Sequence, residues 1–256
     1  MNQDIYYTLD GEIATIFMNR PEKKNAVTLA MWNSIPKLLD ELKECVDVRV
    51  VIIRGVDHTA FSAGADIKEF SVERENVEKA SNYDRLLNQA GDALEQFPKP
   101  IIALIESVCI GGGCEIALAC DLRFSSNTGT FGIPPSKIGL VYGVGQTRRL
   151  MNAVGKSYAK DMLYSGRLFD AEEAHHIGLI NRVFNSEDIV EETYSYARLL
   201  ASRSQLSIRA SKQILQFLDS SENTSEDITR MIEHSYEAKD IKEGIQSFKE
   251  NRIPNF

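Results

Sequence analysis

The sequence has few or none of the features that mark several protein classes. It contains four cysteines in 256 residues and no CxxC pair, so neither a disulfide framework nor a zinc finger is predicted. No apolar run reaches the length of about 18 residues that a membrane-spanning helix needs. The first residues include early acidic side chains and no basic segment followed by an apolar one, so no signal peptide is expected. Free thiols without a leader favour a cytoplasmic protein.

Positive charge is also scarce. The chain has 29 Lys and Arg residues against 37 Asp and Glu residues, which gives a formal net charge of −8. Because no strong basic stripe is available, this balance argues against a nucleic-acid-binding protein. It does not exclude an anionic small ligand, which needs only a local basic patch. The length and the 43% hydrophobic content fit one large globular domain, alone or with a smaller appendage.

Strand-like and helix-like segments alternate along the first two thirds of the chain. Ile13–Met18 and Val48–Arg54 are β-branched runs that predict strands, whereas Thr28–Cys45 and Glu78–Phe97 have the apolar periodicity of helices. From Gln146 onward the pattern is almost entirely helical. Such an order favours the α/β class, with a sheet covered by helices and a helical C-terminal region.

Two glycine-bearing turns are candidates for a functional site. They are Phe61–Glu69 (FSAGADIKE) and Ile110–Glu115 (IGGGCE), and the second opens a predicted helix. Free N–H groups at a helix start favour a developing negative charge, and Glu115 shares a helix face with Gly112, three residues earlier. An N–H donor beside a base is what enolate chemistry next to a carbonyl requires. By itself, the pattern equally fits a tight turn packed on a sheet, with Glu115 as a favourable first-turn residue.

The turns belong to a longer series of blocks that resembles the crotonase superfamily, also called the enoyl-CoA hydratase/isomerase family. The resemblance implies an α/β fold, in which a crotonase-like spiral of ββα units (residues 1–195) holds the acyl-CoA site. A helical C-terminal region (residues 196–256) would then form trimers or dimers of trimers. It implies no metal and no cofactor, since CoA enters as part of the substrate, and neither nucleic acid nor a membrane is an expected partner. The matching blocks are Asn19–Val27, Phe61–Phe70, Pro98–Phe124, Phe131–Leu140, Ala171–Val183 and Ser247–Phe256.

The resemblance also implies roles for individual residues. In this family two backbone N–H groups polarise the thioester carbonyl and stabilise its enolate, and the matching positions here are Ala65 and Gly112. Enoyl-CoA hydratases of the family use two glutamates around one water. The first matches Glu115, whereas the second matches Pro135, which has no acid, base or donor function.

This departure from the family pattern leaves several activities open. Hydratase-type chemistry, the reversible addition of water to a 2-enoyl-CoA, is the first interpretation, with Glu115 acting alone or with a carboxylate from elsewhere. Isomerisation with Glu115 as the sole base is an alternative, and so is decarboxylation, which needs enolate stabilisation but no strong base. Tyr142 matches a tyrosine of the methylmalonyl-CoA decarboxylase branch, where it could hydrogen-bond a substrate carboxylate or carbonyl, although a half-buried loop tyrosine has the same appearance.

Two interpretations outside this chemistry are also open. A catalytically silent CoA-binding protein is one, because Pro135 replaces a catalytic position. A hydrolase with Cys114 as nucleophile is the other, but the sequence has no GxSxG motif and no histidine close to Cys114.

The same blocks place residues near CoA. Ala63 and Ala65 match backbone positions that hold the adenine, and Lys68 matches a basic position near the nucleotide phosphates. Phe248 matches a tail position that reaches CoA from a neighbouring subunit. The full set of candidate CoA-binding residues is Lys24, Ala63, Ala65, Asp66, Ile67, Lys68 and Phe248.

Overall fold

The computed structural model describes residues 4–219 and 226–256, and it contains two β-sheets with helices packed around them. The strands are β1 (Ile5–Asp10), β2 (Ile13–Met18), β3 (Val50–Gly55), β4 (Ala60–Ser62), β5 (Ile101–Ile105), β6 (Val108–Ile110), β7 (Leu122–Ser126), β8 (Thr130–Gly132), β9 (Phe169–Asp170) and β10 (Arg182–Phe184). The α-helices are α1 (Leu29–Glu44), α2 (Ile67–Glu73), α3 (Val77–Gln96), α4 (Gly112–Ala119), α5 (Val144–Ser165), α6 (Ala171–His176), α7 (Ile189–Ala201), α8 (Gln205–Asp219), α9 (Glu226–Ser235) and α10 (Lys239–Glu250).

The larger sheet has six strands in the order β1-β2-β3-β5-β7-β10. Only the β1–β2 pair is antiparallel, and the other pairs are parallel. Strands β3 and β5 are buried along their whole length, which explains their continuous apolar sequences. One face of the sheet packs against α7 through Ile189 and Ala197, while α1 and α3 belong to the core on the other side. The predicted α/β class is confirmed.

The smaller sheet has the order β4-β6-β8-β9. Its strands are two or three residues long, too short to show a period-2 pattern, so the sequence analysis did not predict them. Three successive units each send one strand to the larger sheet and the next to the smaller sheet before a helix follows. These units are β3–β4–α2, β5–β6–α4 and β7–β8–α5, as expected for a spiral of ββα units.

The C-terminal helices α8 and α9 are only partly buried, as is the short α2. Neither α8 nor α9 contains a fully buried residue, and apolar side chains such as Leu215, Ile245 and Phe248 are exposed. Oligomerisation through this region stays a prediction, as does the division into residues 1–195 and 196–256. Residue 195 lies within α7, which packs on the larger sheet. Within the described ranges, no helix combines the length and apolar character needed to cross a membrane.

Candidate active site

The candidate site is a cavity of about 460 Å³ at one edge of the smaller sheet. Strands β4, β6 and β8 are mutually parallel neighbours, so the loops that follow them leave the sheet at the same edge. Helix α3 and the start of α5 complete the wall. Short strands thus bring together three segments that are far apart in sequence, namely residues 63–65, residues 111–112 and residues 133–135.

Two backbone N–H groups lie side by side in this wall. Gly64 has φ of +105°, a conformation that glycine adopts without strain, and a Cβ on Gly112 would lie 3.6 Å from the Ala65 nitrogen. The Gly112 position is also crowded, because the same Cβ would meet Trp32 Cζ2 at 3.1 Å. Among the hydrogen bonds of the described residues, none has the N–H of Ala65 or of Gly112 as its donor. Backbone donors in a protein interior are normally paired, so two unpaired ones side by side are unusual. The N–H groups of Ala65 and Gly112 are available to a ligand in the cavity.

Glu115 lies in the first turn of α4, next to the two donors along the same wall. Burial raises the pKa of its carboxyl to about 8, although Tyr142, Arg149 and Arg74 act in the opposite direction. Its Oε2 atom is buried and has no hydrogen-bond partner within residues 4–219 and 226–256. A carboxyl with this pKa exchanges its proton near neutral pH, which suits a general acid or base.

Tyr142 lines the same cavity, close enough to Glu115 for each group to affect the other's pKa. Burial, followed by the negative charge of Glu115, raises the pKa of the phenol well above its usual value. The hydroxyl is buried, and no described residue forms a well-aligned hydrogen bond with it. The structure therefore brings together Ala65, Gly112, Glu115 and Tyr142, the four residues predicted for catalysis.

Pro135 is buried in the cavity wall, where it begins a short 3-10 turn. The described residues that line the cavity include two carboxylates, Glu115 and Asp84. Asp84 is 52% exposed and forms an ion pair with Arg74 at 2.6 Å. Pro135 therefore contributes shape to the cavity but no proton chemistry.

Several residues of the site were not predicted from the sequence. Trp32 Nε1 donates a hydrogen bond of 3.2 Å to the Tyr83 hydroxyl, and burial raises the pKa of Tyr83 to about 12. Arg74 and Gln146 also line the cavity. Phe70 and Arg74 are four residues apart, and residues at this separation are neighbours on a helix. This spacing in the sequence was a signal that the two side chains lie close together.

Six of the seven candidate CoA-binding residues fall into two groups. Ala63, Ala65 and Ile67 line the cavity, and the Ala63 N–H donates a 2.9 Å hydrogen bond to the carbonyl of Lys24. Lys24, Lys68 and Phe248 are exposed and are not part of the cavity lining. For these three side chains, contact with CoA stays a prediction.

Asp66 has a side chain that is already engaged within the protein. It accepts hydrogen bonds from the backbone N–H groups of Lys68 and Glu69 at the start of α2, and it pairs with Arg20 at 2.9 Å. Burial acts to raise the pKa of Asp66, but the hydrogen bonds from Arg20 and the two N–H groups outweigh it and lower the pKa. Asp66 therefore holds the turn that carries Ala65 in place.

Cys114 offers no support for a hydrolase. Its buried Sγ donates to the backbone carbonyl of Cys109 at 2.8 Å, and it is absent from the cavity lining. In the part of the chain that the structure describes, no three His, Cys, Asp or Glu side chains converge into a possible metal site.

Comparison with known proteins agrees with the fold. The family model described as Enoyl-CoA hydratase/isomerase matches residues 8–256. A solved enoyl-CoA hydratase/carnithine racemase from Magnetospirillum magneticum is 34% identical, with a TM-score of 0.96 and coverage of 100% of this chain and 96% of the other. A crotonyl-CoA hydratase from Syntrophomonas wolfei is 31% identical over 261 residues, covering 99% of this chain and 98% of its own. The chain belongs to the enoyl-CoA hydratase/isomerase family and is an enzyme of the crotonase superfamily.

Proposed function

We propose that the protein catalyses the reversible addition of water to a 2-enoyl-CoA. The observation that carries this proposal is the placement of two unpaired backbone donors, on Ala65 and Gly112, beside the unpartnered carboxyl of Glu115 in one cavity. The crotonyl-CoA hydratase among the relatives supports the same reaction class.

The reaction follows from these groups. The N–H groups of Ala65 and Gly112 bind the thioester oxygen, which draws electron density away from C3 of the enoyl group. The Glu115 carboxylate removes a proton from water as the water oxygen bonds to C3, and the π electrons move to the thioester oxygen as an enolate. Glu115 then returns the proton to C2. One carboxyl thus acts as base and then as acid, which replaces the usual pair of glutamates.

This use of Glu115 predicts a particular pH dependence. Hydration starts from the ionised carboxylate, and burial holds the pKa of Glu115 at about 8. The value of kcat/KM for hydration should therefore rise with pH, with a midpoint near 8 in the free enzyme.

Decarboxylation is the second candidate, favoured by Pro135 in the wall and by the unpartnered Tyr142 hydroxyl. The bond from C2 to the carboxylate carbon would break, CO₂ would leave, and the electron pair would form the same enolate. Glu115 in its protonated form would then donate a proton to C2. The dependence on pH is opposite to that of hydration, because activity would fall as pH rises through about 8.

The test is incubation of the enzyme with crotonyl-CoA and, separately, with methylmalonyl-CoA over pH 6–10. Loss of the enoyl absorbance with a rate that rises toward high pH supports hydration. Release of CO₂ from methylmalonyl-CoA without hydration of crotonyl-CoA would replace the first proposal by the second. The Glu115→Gln variant should be inactive in either case, and the exposed Glu172→Gln on α6 is its matched control.

A further inference from the structure

Arg74 is a cation in the wall of the cavity that the proposed chemistry does not use. It lies in the short connection between α2 and α3, and its guanidinium carbon is 4.7 Å from the ring centroid of Phe70 and 5.1 Å from that of Tyr83. The two aromatic rings hold the guanidinium group in place. Arg74 is thus fixed at the cavity before any ligand arrives.

The hydrogen-bonding capacity of Arg74 is only partly used. One terminal nitrogen donates to Asp84 at 2.6 Å, while the buried Nε–H has no partner in the described part of the chain. Guanidinium donors lie in the plane of the group, so aromatic rings against its face cannot accept from them. A buried donor without a partner is costly, and a ligand oxygen in the cavity would remove that cost.

Three other residues of the cavity lining carry buried polar atoms of the same kind. Glu115 Oε2, Tyr142 Oη and Gln146 Oε1 also lack partners among the described residues. A purely aliphatic acyl chain would leave the Arg74 donor and the Gln146 acceptor unsatisfied, since it offers them no hydrogen bond. The wall therefore fits an acyl group that carries polar atoms.

Charge indicates which polar group this is. The charged side chains found in the lining are Arg74, Lys137, Asp84 and Glu115. With Glu115 ionised the two cations balance the two anions, and with Glu115 protonated the two cations exceed the one remaining anion. An arginine with free in-plane donors is well suited to a carboxylate.

Arg74 belongs to the acyl end of the site. Arg74 and Glu115 line the same cavity, and under the proposed function Glu115 is the group that exchanges protons at the reacting carbons. A ligand group that contacts Arg74 therefore lies in the cavity that would hold the acyl chain.

We propose that Arg74 is a specificity-determining residue that binds a carboxylate on the acyl group, so that the preferred substrates are acyl-CoAs with an acidic acyl chain. This inference rests on the proposed acyl-CoA site. The free donors of Arg74 support it for either reaction, whereas the excess of positive charge in the lining supports it when Glu115 is protonated. Asp84, which is half exposed, would compete with the substrate carboxylate for the same guanidinium group.

The experiment compares calorimetric binding of two unreactive ligands, glutaryl-CoA and valeryl-CoA, which have five acyl carbons each and differ in the terminal carboxylate. Glutaryl-CoA should bind to the wild type about tenfold more tightly, and Arg74→Gln should reduce this ratio to near one. Asp84→Asn should increase the ratio, since it removes the competing carboxylate. The control is Arg85→Gln, because Arg85 lies on exposed α3 surface with hydrogen bonds to Gln89 and Asn82 and should leave the ratio unchanged.

The outcomes separate this inference from the proposed function. Equal affinity for the two ligands in the wild type would overturn the carboxylate preference and leave the acyl-CoA site intact. An equal loss of affinity for both ligands and for free CoA in Arg74→Gln would show that Arg74 contacts CoA instead, which also overturns the inference. If neither acyl-CoA binds, the proposed function fails together with it.

Discussion

Two glutamates with buried carboxyl oxygens, nine positions apart in sequence, have opposite surroundings. Glu106 directly follows β5, and its side chain is 5% exposed, with Arg54 donating to Oε2 at 2.6 Å and His58 bonded to Oε1. Glu115 faces the cavity with Oε2 unbonded and a pKa raised to about 8. Burial alone therefore does not mark a functional carboxylate. A carboxylate whose oxygens are both bonded by the protein supports the fold, whereas one that the protein leaves unbonded is available to a substrate.

The largest expected effect is on catalysis by Glu115, and it tests the contrast between Glu115 and Glu106. Glu115→Gln keeps the shape of the side chain but removes the proton transfer, so kcat should fall about 10³-fold while the fold is retained. Steady-state kinetics with the preferred acyl-CoA and a circular dichroism spectrum check both parts. Activity within about tenfold of wild type would contradict the role of Glu115 as acid and base.

The same variant should be more stable than wild type at high pH. The pKa of Glu115 in the folded protein, about 8, lies above the ordinary value of 4.5, so the unfolded chain ionises first as pH rises. Below pH 4.5 the two proteins should therefore differ little. The advantage of Glu115→Gln grows between 4.5 and 8 and reaches at most about 5 kcal/mol above pH 8. Urea unfolding at pH 5 and pH 9 measures it, and a gap that narrows with pH would contradict the raised pKa.

The next largest effect concerns the backbone N–H groups of Ala65 and Gly112, which lie in the same cavity wall as Glu115. Gly112→Pro removes one N–H group at the first position of α4, where proline is tolerated in a helix, and should lower kcat/KM by about 10²-fold or more. Gly112→Ala is the control, since it adds a Cβ against Trp32 but keeps the N–H. The expected order of activity is wild type, then Ala, then Pro. Equal activities of the two variants would mean that crowding, and not the lost donor, causes the defect.

A smaller, purely structural effect is expected at Glu106. Glu106→Gln leaves the Arg54 charge buried without its partner, so the free energy of unfolding should fall by about 3 kcal/mol, while kcat per folded molecule stays near that of wild type. His58→Ala is the matched control, because the His58 side chain is 82% exposed and its loss should cost less than about 1 kcal/mol. A selective loss of kcat in Glu106→Gln would contradict the purely structural role of Glu106.

The smallest effect is expected at Tyr142. Its hydroxyl lowers the pKa of Glu115, so Tyr142→Phe should move the midpoint of the pH–rate profile upward, to above 8, with a loss of kcat of about tenfold or less. The profile of kcat/KM from pH 6 to 10 checks this. A midpoint that moves downward would show that Tyr142 does not stabilise the ionised carboxyl.

Part of this site was predictable from the sequence because it depends on residues that are close together in the chain. The helix that starts at the glycines places Gly112 and Glu115 on one face, and this follows from helix geometry alone. The segments Ile13–Met18 and Thr28–Cys45 were predicted as a strand and a helix because their periodicity is strong, and they form β2 and α1, with Thr28 capping α1. The short strands β4, β6 and β8 have no such periodicity.

The sequence by itself determined the family and the alternation of strands and helices, and it predicted that Pro135 occupies the position of a catalytic glutamate. Local conformational preferences and side-chain identity depend on residues that are neighbours in the chain, so the sequence alone shows them. Only the tertiary structure decided that Glu115 is unbonded while Glu106 is fully bonded, that Arg20 engages Asp66, and that Arg74 faces the cavity. Burial and unpaired hydrogen-bonding groups depend on which distant segments the sheets bring together, and that information appears only when the chain is folded.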